Sequence, residues 1–273
     1  MKMNRLFLLL LGLSGSAHAA GYDVAADFSI TNNPQDPWSY GSTPAPGGSF
    51  NLLTVATRDF DGVAGWNQWS AAVNTTPGVY KNNGASTVTN DDALVPPGTF
   101  VLRPGAGTEL SVARWTAPSE GYWRITGRFT GVQAATSDVH IRDGSSAVFD
   151  GNINGLGQAQ AFDFTLNSYP GETLDFLAGN GGNGDAHDLT GLAVTIMNAA
   201  VLTIEKLGDN VILRWPAAAA SFQLEVNPSL TAPNDWTPVA EFPDLDGAFW
   251  KLTRHLVPGG EFFRLHFVQA QSS

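Results

Sequence analysis

In "NNPQDPWSYGS", Trp38 and Tyr40 stand two residues apart, so an extended backbone points both rings the same way. Trp66 and Trp69 follow in "DGVAGWNQWSAAV", flanking Asn67 and Gln68 and lying outside any clean strand pattern. Exposed coplanar rings can stack on the apolar C–H face of a sugar while nearby amides hold its hydroxyls. Trp38, Tyr40, Trp66, Asn67, Gln68 and Trp69 would supply those parts. The competing reading is structural, because each ring buries about 150 to 250 Å² when it plugs the end of a sandwich. Large aromatics are highly buried on average, so the balance falls on plugging, above all for Trp38.

Two oxygen-rich segments could hold a hard cation. In "DGNINGLGQAQA", Asp150, Asn152, Asn154 and Gly155 match the first half of a calcium loop. The match fails at its twelfth position, where Ala161 replaces the bidentate Glu, and a turn-rich strand connection is the plainer reading. "GNGGNGDAHDLTG" brings Asn183, Asp185 and Asp188 together with Asn180 and His187 among glycines. Its carboxylate and amide oxygens suit calcium, and a single His would not hold zinc. A long surface loop whose Asp188 bonds local amides is the alternative. "RDFDG" and "PDLDG" read as ordinary turn chemistry.

Signatures of catalysis are absent. The sequence has no cysteine, which excludes thiol catalysis, disulfides and thiolate metal sites. No G-x-S-x-G elbow, H-E-x-x-H pair or phosphate-cradling glycine loop follows the leader, and His140, His187, His255 and His266 lack ligand spacing. A glycosidase pair of carboxylates, converging only in three dimensions, stays open.

The elements that must position these residues are strands. "GYWRITGRF" places Trp123, Ile125 and Phe129 on one face and Arg124, Thr126 and Arg128 on the other. "SDVHIRDG" and "SAVFDG" form a hairpin about Asp143-Gly144. No window shows sustained helical spacing. Residues 21–198 hold about eight or nine strands and suit one jelly-roll-like sandwich. Residues 199–268 begin with a hairpin at Gly208-Asp209, hold roughly six strands, and suit a small immunoglobulin- or fibronectin-III-like sandwich, with a tail at 269–273.

Residues 1–20 have Lys2 and Arg5, a short apolar run and an Ala17-His18-Ala19 cleavage pattern, the marks of a secretory leader. No other stretch approaches the roughly 20 apolar residues of a membrane helix. Without the leader, 12 basic side chains face 25 acidic ones, a net charge near −13. Such a surface repels phosphate backbones and anionic membranes, so nucleic acid is excluded as a partner.

"DFSITNNPQDPWSYGS", "VLRPGAGTELSVARWTAPSEGYWRITGRF" and "GETLDFLAGNGGNGDAHDLTGLAVTI" resemble a module of secreted bacterial proteins, many of which end in a sorting tail. "VILRWP" and "FFRL" resemble a small β-module found at the C-terminal ends of such proteins. The resemblance implies extracellular accessory or binding duty and assigns no residue a role. The expectation is an exported, non-catalytic binding module with an extracellular glycan as ligand and calcium as a structural ion. A matrix or envelope protein working through surface-protein contacts is the alternative, and a glycosidase-like enzyme the second.

Overall fold

A computed structural model describes residues 21–199, 201–217, 222–229, 235–247, 249–257 and 260–267. The expected leader and tail lie outside the described residues. Strands dominate, joined by turns and two short 3-10 segments at Phe60–Gly62 and Asn90–Asp92. No described helix is long and apolar enough to cross a membrane.

Residues 21–198 form two antiparallel sheets. In the larger, the strands run Ala159–Ser168, Gly121–Gly131, Thr190–Asn198, Phe100–Arg103, Gly78–Asn82, Trp66–Ser70 and Val55–Thr57, with Gly21–Asp23 also pairing on Thr190–Asn198. The smaller runs Ser146–Asn152, Asp138–Asp143, Thr173–Ala178, Leu110–Thr116, Trp38–Thr43 and Asn51–Leu52. That makes 14 strands where eight or nine are expected, the surplus being short pieces and two strands that the pattern conceals.

The sheets face each other across one continuous core. Trp38, Tyr40, Trp115 and Phe176 from the smaller sheet meet Trp69, Phe100, Trp123 and Phe129 from the larger. Side chains alternate across a strand, so this core fixes which residues face outward. Each fully buried aromatic or aliphatic side chain contributes about 1.5–3 kcal/mol by leaving water. Tyr40 and Phe100 rings pack at 5.5 Å, and Trp115 meets Trp123 edge-on at 5.2 Å. Across the smaller sheet's outer side, Arg114 grips Asp175 through Nε at 2.7 Å and Nη2 at 2.8 Å, on paired residues of adjacent strands.

The second unit pairs only within itself. A four-stranded sheet, Thr203–Leu207, Asn210–Pro216, Phe249–His255 and Asp244–Asp246, faces a three-stranded one of Thr237–Pro238, Phe222–Asn227 and Phe262–Phe267. Leu213, Trp215, Leu224 and Leu252 close between them. The expected hairpin is present, with Leu207 opposite Asn210 and Gly208 at a φ of 61°.

Candidate functional site

The structure buries the expected aromatic platform. Trp38 and Tyr40 point the same way, but into the core, in the strand Trp38–Thr43. Trp38 donates its Nε1–H to Asp27 at 3.1 Å, and its ring packs against Phe176 at 6.2 Å. Trp69 also faces inward and donates to the Ser29 carbonyl at 2.8 Å. Asn67 and Gln68 are buried too, Asn67 bonding the Gly65 carbonyl at 3.1 Å. These residues therefore close the sandwich. They offer no exposed stacking surface, because rings of this size bring more by leaving water than by facing it.

Trp66 differs, and strand alternation is the reason. Along Trp66–Ser70, Trp69 faces the core, which turns Trp66 and Gln68 to the outer side of the larger sheet. Tyr80 sits opposite Gln68 on the next strand and shares that side. Trp66 stacks on Tyr80 at 5.1 Å with planes 18° apart, and Phe60 meets Tyr80 edge-on at 5.5 Å. Gln68 donates Nε2–H to the Tyr80 hydroxyl at 2.6 Å. Burial raises the Tyr80 pKa against the opposing pull of Arg103, so the phenol is neutral.

These three rings floor a cleft of about 360 Å³, within the usual range for small-ligand sites. Its walls come from distant segments. Asp61 leads in from the Phe60–Gly62 turn, Asn90 from the second 3-10 turn, and Arg103 from the end of a sheet strand. Gln133 follows the strand Gly121–Gly131, and His187 belongs to the glycine-rich loop. That loop is tied over the cleft twice. The Arg103 guanidinium lies 3.5 Å from Asp185, while Asp92 faces His187 Nδ1 at 2.8 Å and accepts from Gln133 Nε2 at 3.2 Å.

Two wall residues are uncommitted. Asp61 and Asn90 are exposed, and neither side chain has a hydrogen-bond or ion-pair partner among the described residues. Backbone strain gathers in the same place. Of five described non-glycine residues with positive φ, Asp59 (50°), Asp61 (54°), Asp92 (60°) and His187 (65°) belong to the segments building the cleft. Such conformations persist where surrounding structure holds them, and they concentrate at ligand sites.

No protein-family model matches the sequence, and no curated protein matches it. Among solved structures, the chain is similar to a family 51 carbohydrate-binding module of a Clostridium perfringens family 95 glycoside hydrolase, in complex with methyl-galactose. The two are 11% identical with a TM-score of 0.33, over 53% of this chain and 100% of that one. A native family 35 carbohydrate-binding module from Clostridium thermocellum is 10% identical with a TM-score of 0.26, over 54% and 100%. The C-terminal family 6 module of a laminarinase from Zobellia galactanivorans is 15% identical with a TM-score of 0.20, over 34% and 82%.

Among the described residues, several side chains of the two expected calcium segments meet protein partners. Asp150 is already answered by cationic groups, lying 2.6 Å from Arg142 Nη2 and against His140 Nδ1. Asn152 and Asn154 are exposed on the same connection, where Gln160 bonds the Asn152 carbonyl and Gln158 takes the Asn154 N–H. In the second segment, Asp185 turns to Arg103, whereas Asn183 and Asp188 both bond the Thr136 hydroxyl, at 3.1 and 3.2 Å. No three His, Asp or Glu side chains among the described residues converge to hold a metal.

Sequence reasoning missed Asp61, Asn90, Arg103 and Gln133. They lie far apart in the chain, and "RDFDG" reads locally as a plain turn. The one available signal was the glycine-rich loop, which supplies His187 and holds Asp185 against Arg103.

Proposed function

We propose that this protein is a non-catalytic extracellular carbohydrate-binding module and that its sugar site is the cleft floored by Phe60, Trp66 and Tyr80. The observation that carries the reading is an aromatic floor beneath convergent polar groups, two of which, Asp61 and Asn90, have no side-chain hydrogen-bond or ion-pair partner among the described residues. A sugar needs directional partners for its hydroxyls and an apolar contact for its C–H face, here only the small exposed parts of the floor rings, Phe60 at 9%, Trp66 at 4% and Tyr80 at 2%. Arg103 presents N–H donors beyond its contact with Asp185, Asp61 presents acceptors, and Asn90 presents both.

The same inventory supports binding over hydrolysis. Glycosidases place two carboxyl groups about the scissile bond, and Asp61 is the sole carboxylate among the described side chains lining the cleft. Asp92 and Asp185, behind the wall, are engaged with His187 and Arg103. An acidic surface, near −13 once the expected leader is removed, is compatible with neutral glycans.

A glycan array probed with the purified protein, with and without chelator, tests the proposal. Array ligands should then bind Asp61→Ala and Asn90→Ala about tenfold more weakly, since each loses one hydrogen bond to the ligand. Asn90→Ala should keep the wild-type Tm, whereas Asp61→Ala should lower it slightly, since Asp tolerates the left-handed backbone at this position better than Ala. Absence of binding to every glycan in both conditions would overturn it.

A further inference from the structure

We propose that the sugar selected by this cleft carries a free amino group. This rests on the carbohydrate reading above and names the substrate class of the same site. The argument is one of charge balance. Among the described side chains, three carboxylates stand in or behind the wall, Asp61, Asp92 and Asp185, against one guanidinium and one imidazole. Arg103 is answered by Asp185 at 3.5 Å, and His187 by Asp92 at 2.8 Å. Of the three, Asp61 alone has no ion-pair partner among the described residues.

Its surroundings sharpen that excess. Beneath Asp61 lie three aromatic rings with few exposed atoms, Trp66 being 4% and Tyr80 2% exposed. An ion pair formed against such a floor is screened less than one on open surface. The Tyr80 hydroxyl already receives Gln68 and is neutral, so it adds no positive charge. An ammonium in the cleft would find the Asp61 carboxylate and the Asn90 amide oxygen as acceptors for its N–H groups. A carboxylate- or sulfate-bearing sugar would meet Asp61 with repulsion, and an N-acetylated one would leave its charge unanswered. The wider field acts in the same direction, since the chain carries an excess of acidic groups that draws cations.

The test uses the full chain in isothermal titration calorimetry at pH 6 and low salt. The probes are glucosamine and galactosamine oligosaccharides, their N-acetylated counterparts, and uronate oligosaccharides of matched length. The amine forms should bind at least about tenfold tighter than the N-acetylated forms, with uronates weakest. Raising salt from about 0.05 to 0.5 M should shrink that preference, because the Debye length shortens. Asp61→Asn should abolish the preference, the amine forms then binding no tighter than the N-acetylated ones, with Tm unchanged. Equal or tighter binding of N-acetylated or acidic sugars, or a preference that survives Asp61→Asn, would overturn this inference and leave the glycan site standing. If no sugar of any class binds, both readings fall together.

Discussion

The Nε2 atom of His140 lies 2.8 Å from a carboxylate oxygen of Asp138, and its other ring nitrogen meets Asp150. Both nitrogens can donate only in the imidazolium form. Burial lowers the His140 pKa, yet the bonds to Asp138 and Asp150 outweigh it and the net shift is upward. The bond from His140 in turn lowers Asp138. Asp138 also accepts the Gly181 N–H at 2.7 Å, so the network joins a hairpin to the glycine-rich loop.

The first prediction concerns pH. A raised histidine pKa gives stability that is complete below the unfolded value of about 6.5 and fades as pH climbs through the folded one. Lowered Asp138 gives stability present above about 3.9 and lost as pH falls through its folded value. Stability should therefore peak in mildly acidic solution. His140→Gln should lower Tm by roughly 3–6 °C at pH 6, about 1–2 kcal/mol, with the gap narrowing by pH 9. Thermal unfolding across pH 4–9 decides it; a gap that widens in alkali would refute the imidazolium assignment.

A second prediction separates plugging from stacking at the opening aromatics. Trp38 is 0% exposed, so Trp38→Ala should cost about 3–5 kcal/mol in urea unfolding. The Tyr40 hydroxyl is buried without a partner. Tyr40→Phe removes an unsatisfied polar atom and should leave Tm equal or raised, with glycan binding intact. Lost binding in a stably folded Tyr40→Phe protein would restore this residue to a site.

How much the sequence discloses depends on burial. Gly121–Gly131 could be read because Trp123, Ile125 and Phe129 face the core while Arg124 and Arg128 face out. Trp38–Thr43 and Trp66–Ser70 resisted, since buried residues occupy both of their faces and no polar alternation remains. For Trp66–Ser70 the outer cover comes from Phe60 in the preceding turn and from Val88, Val95 and Leu189, contributed by segments farther along the chain. The hairpin expected about Asp143-Gly144 was legible to within one residue, its turn falling at Gly144-Ser145 between the paired Asp143 and Ser146, because a two-residue turn is a local matter. The cleft is the opposite case: Asp61, Asn90, Arg103 and Gln133 meet through tertiary pairing alone.

A third prediction contrasts adjacent glycines. A Cβ on Gly181, at a φ of 60°, would stand 1.9 Å from the Thr136 carbonyl oxygen. Gly182, at 85°, has nothing within 4 Å. Gly181→Ala should cost roughly 2 kcal/mol or more and weaken glycan binding, as His187 lies farther along the displaced loop. Gly182→Ala should cost about 1 kcal/mol, for backbone strain alone. Equal Tm losses in the two variants would show that the close approach to Thr136 is not what shapes the loop.

The fourth prediction addresses Asp188, which is 1% exposed. Its Oδ1 accepts the Thr136 N–H at 2.7 Å, while Oδ2 is buried without a partner. Burial raises its pKa, so the ionised form is disfavoured at neutral pH and the penalty fades as pH falls through the raised value. Asp188→Asn keeps an acceptor for Thr136 and removes the charge, so Tm at pH 7 should hold or rise. Asp188→Ala strands the Thr136 N–H and should cost about 1–3 kcal/mol. If Oδ2 instead binds calcium in solution, chelator will lower the wild-type Tm and leave Asp188→Asn unmoved. No three His, Asp or Glu side chains among the described residues converge to hold a metal, which sets the expectation that chelator changes neither.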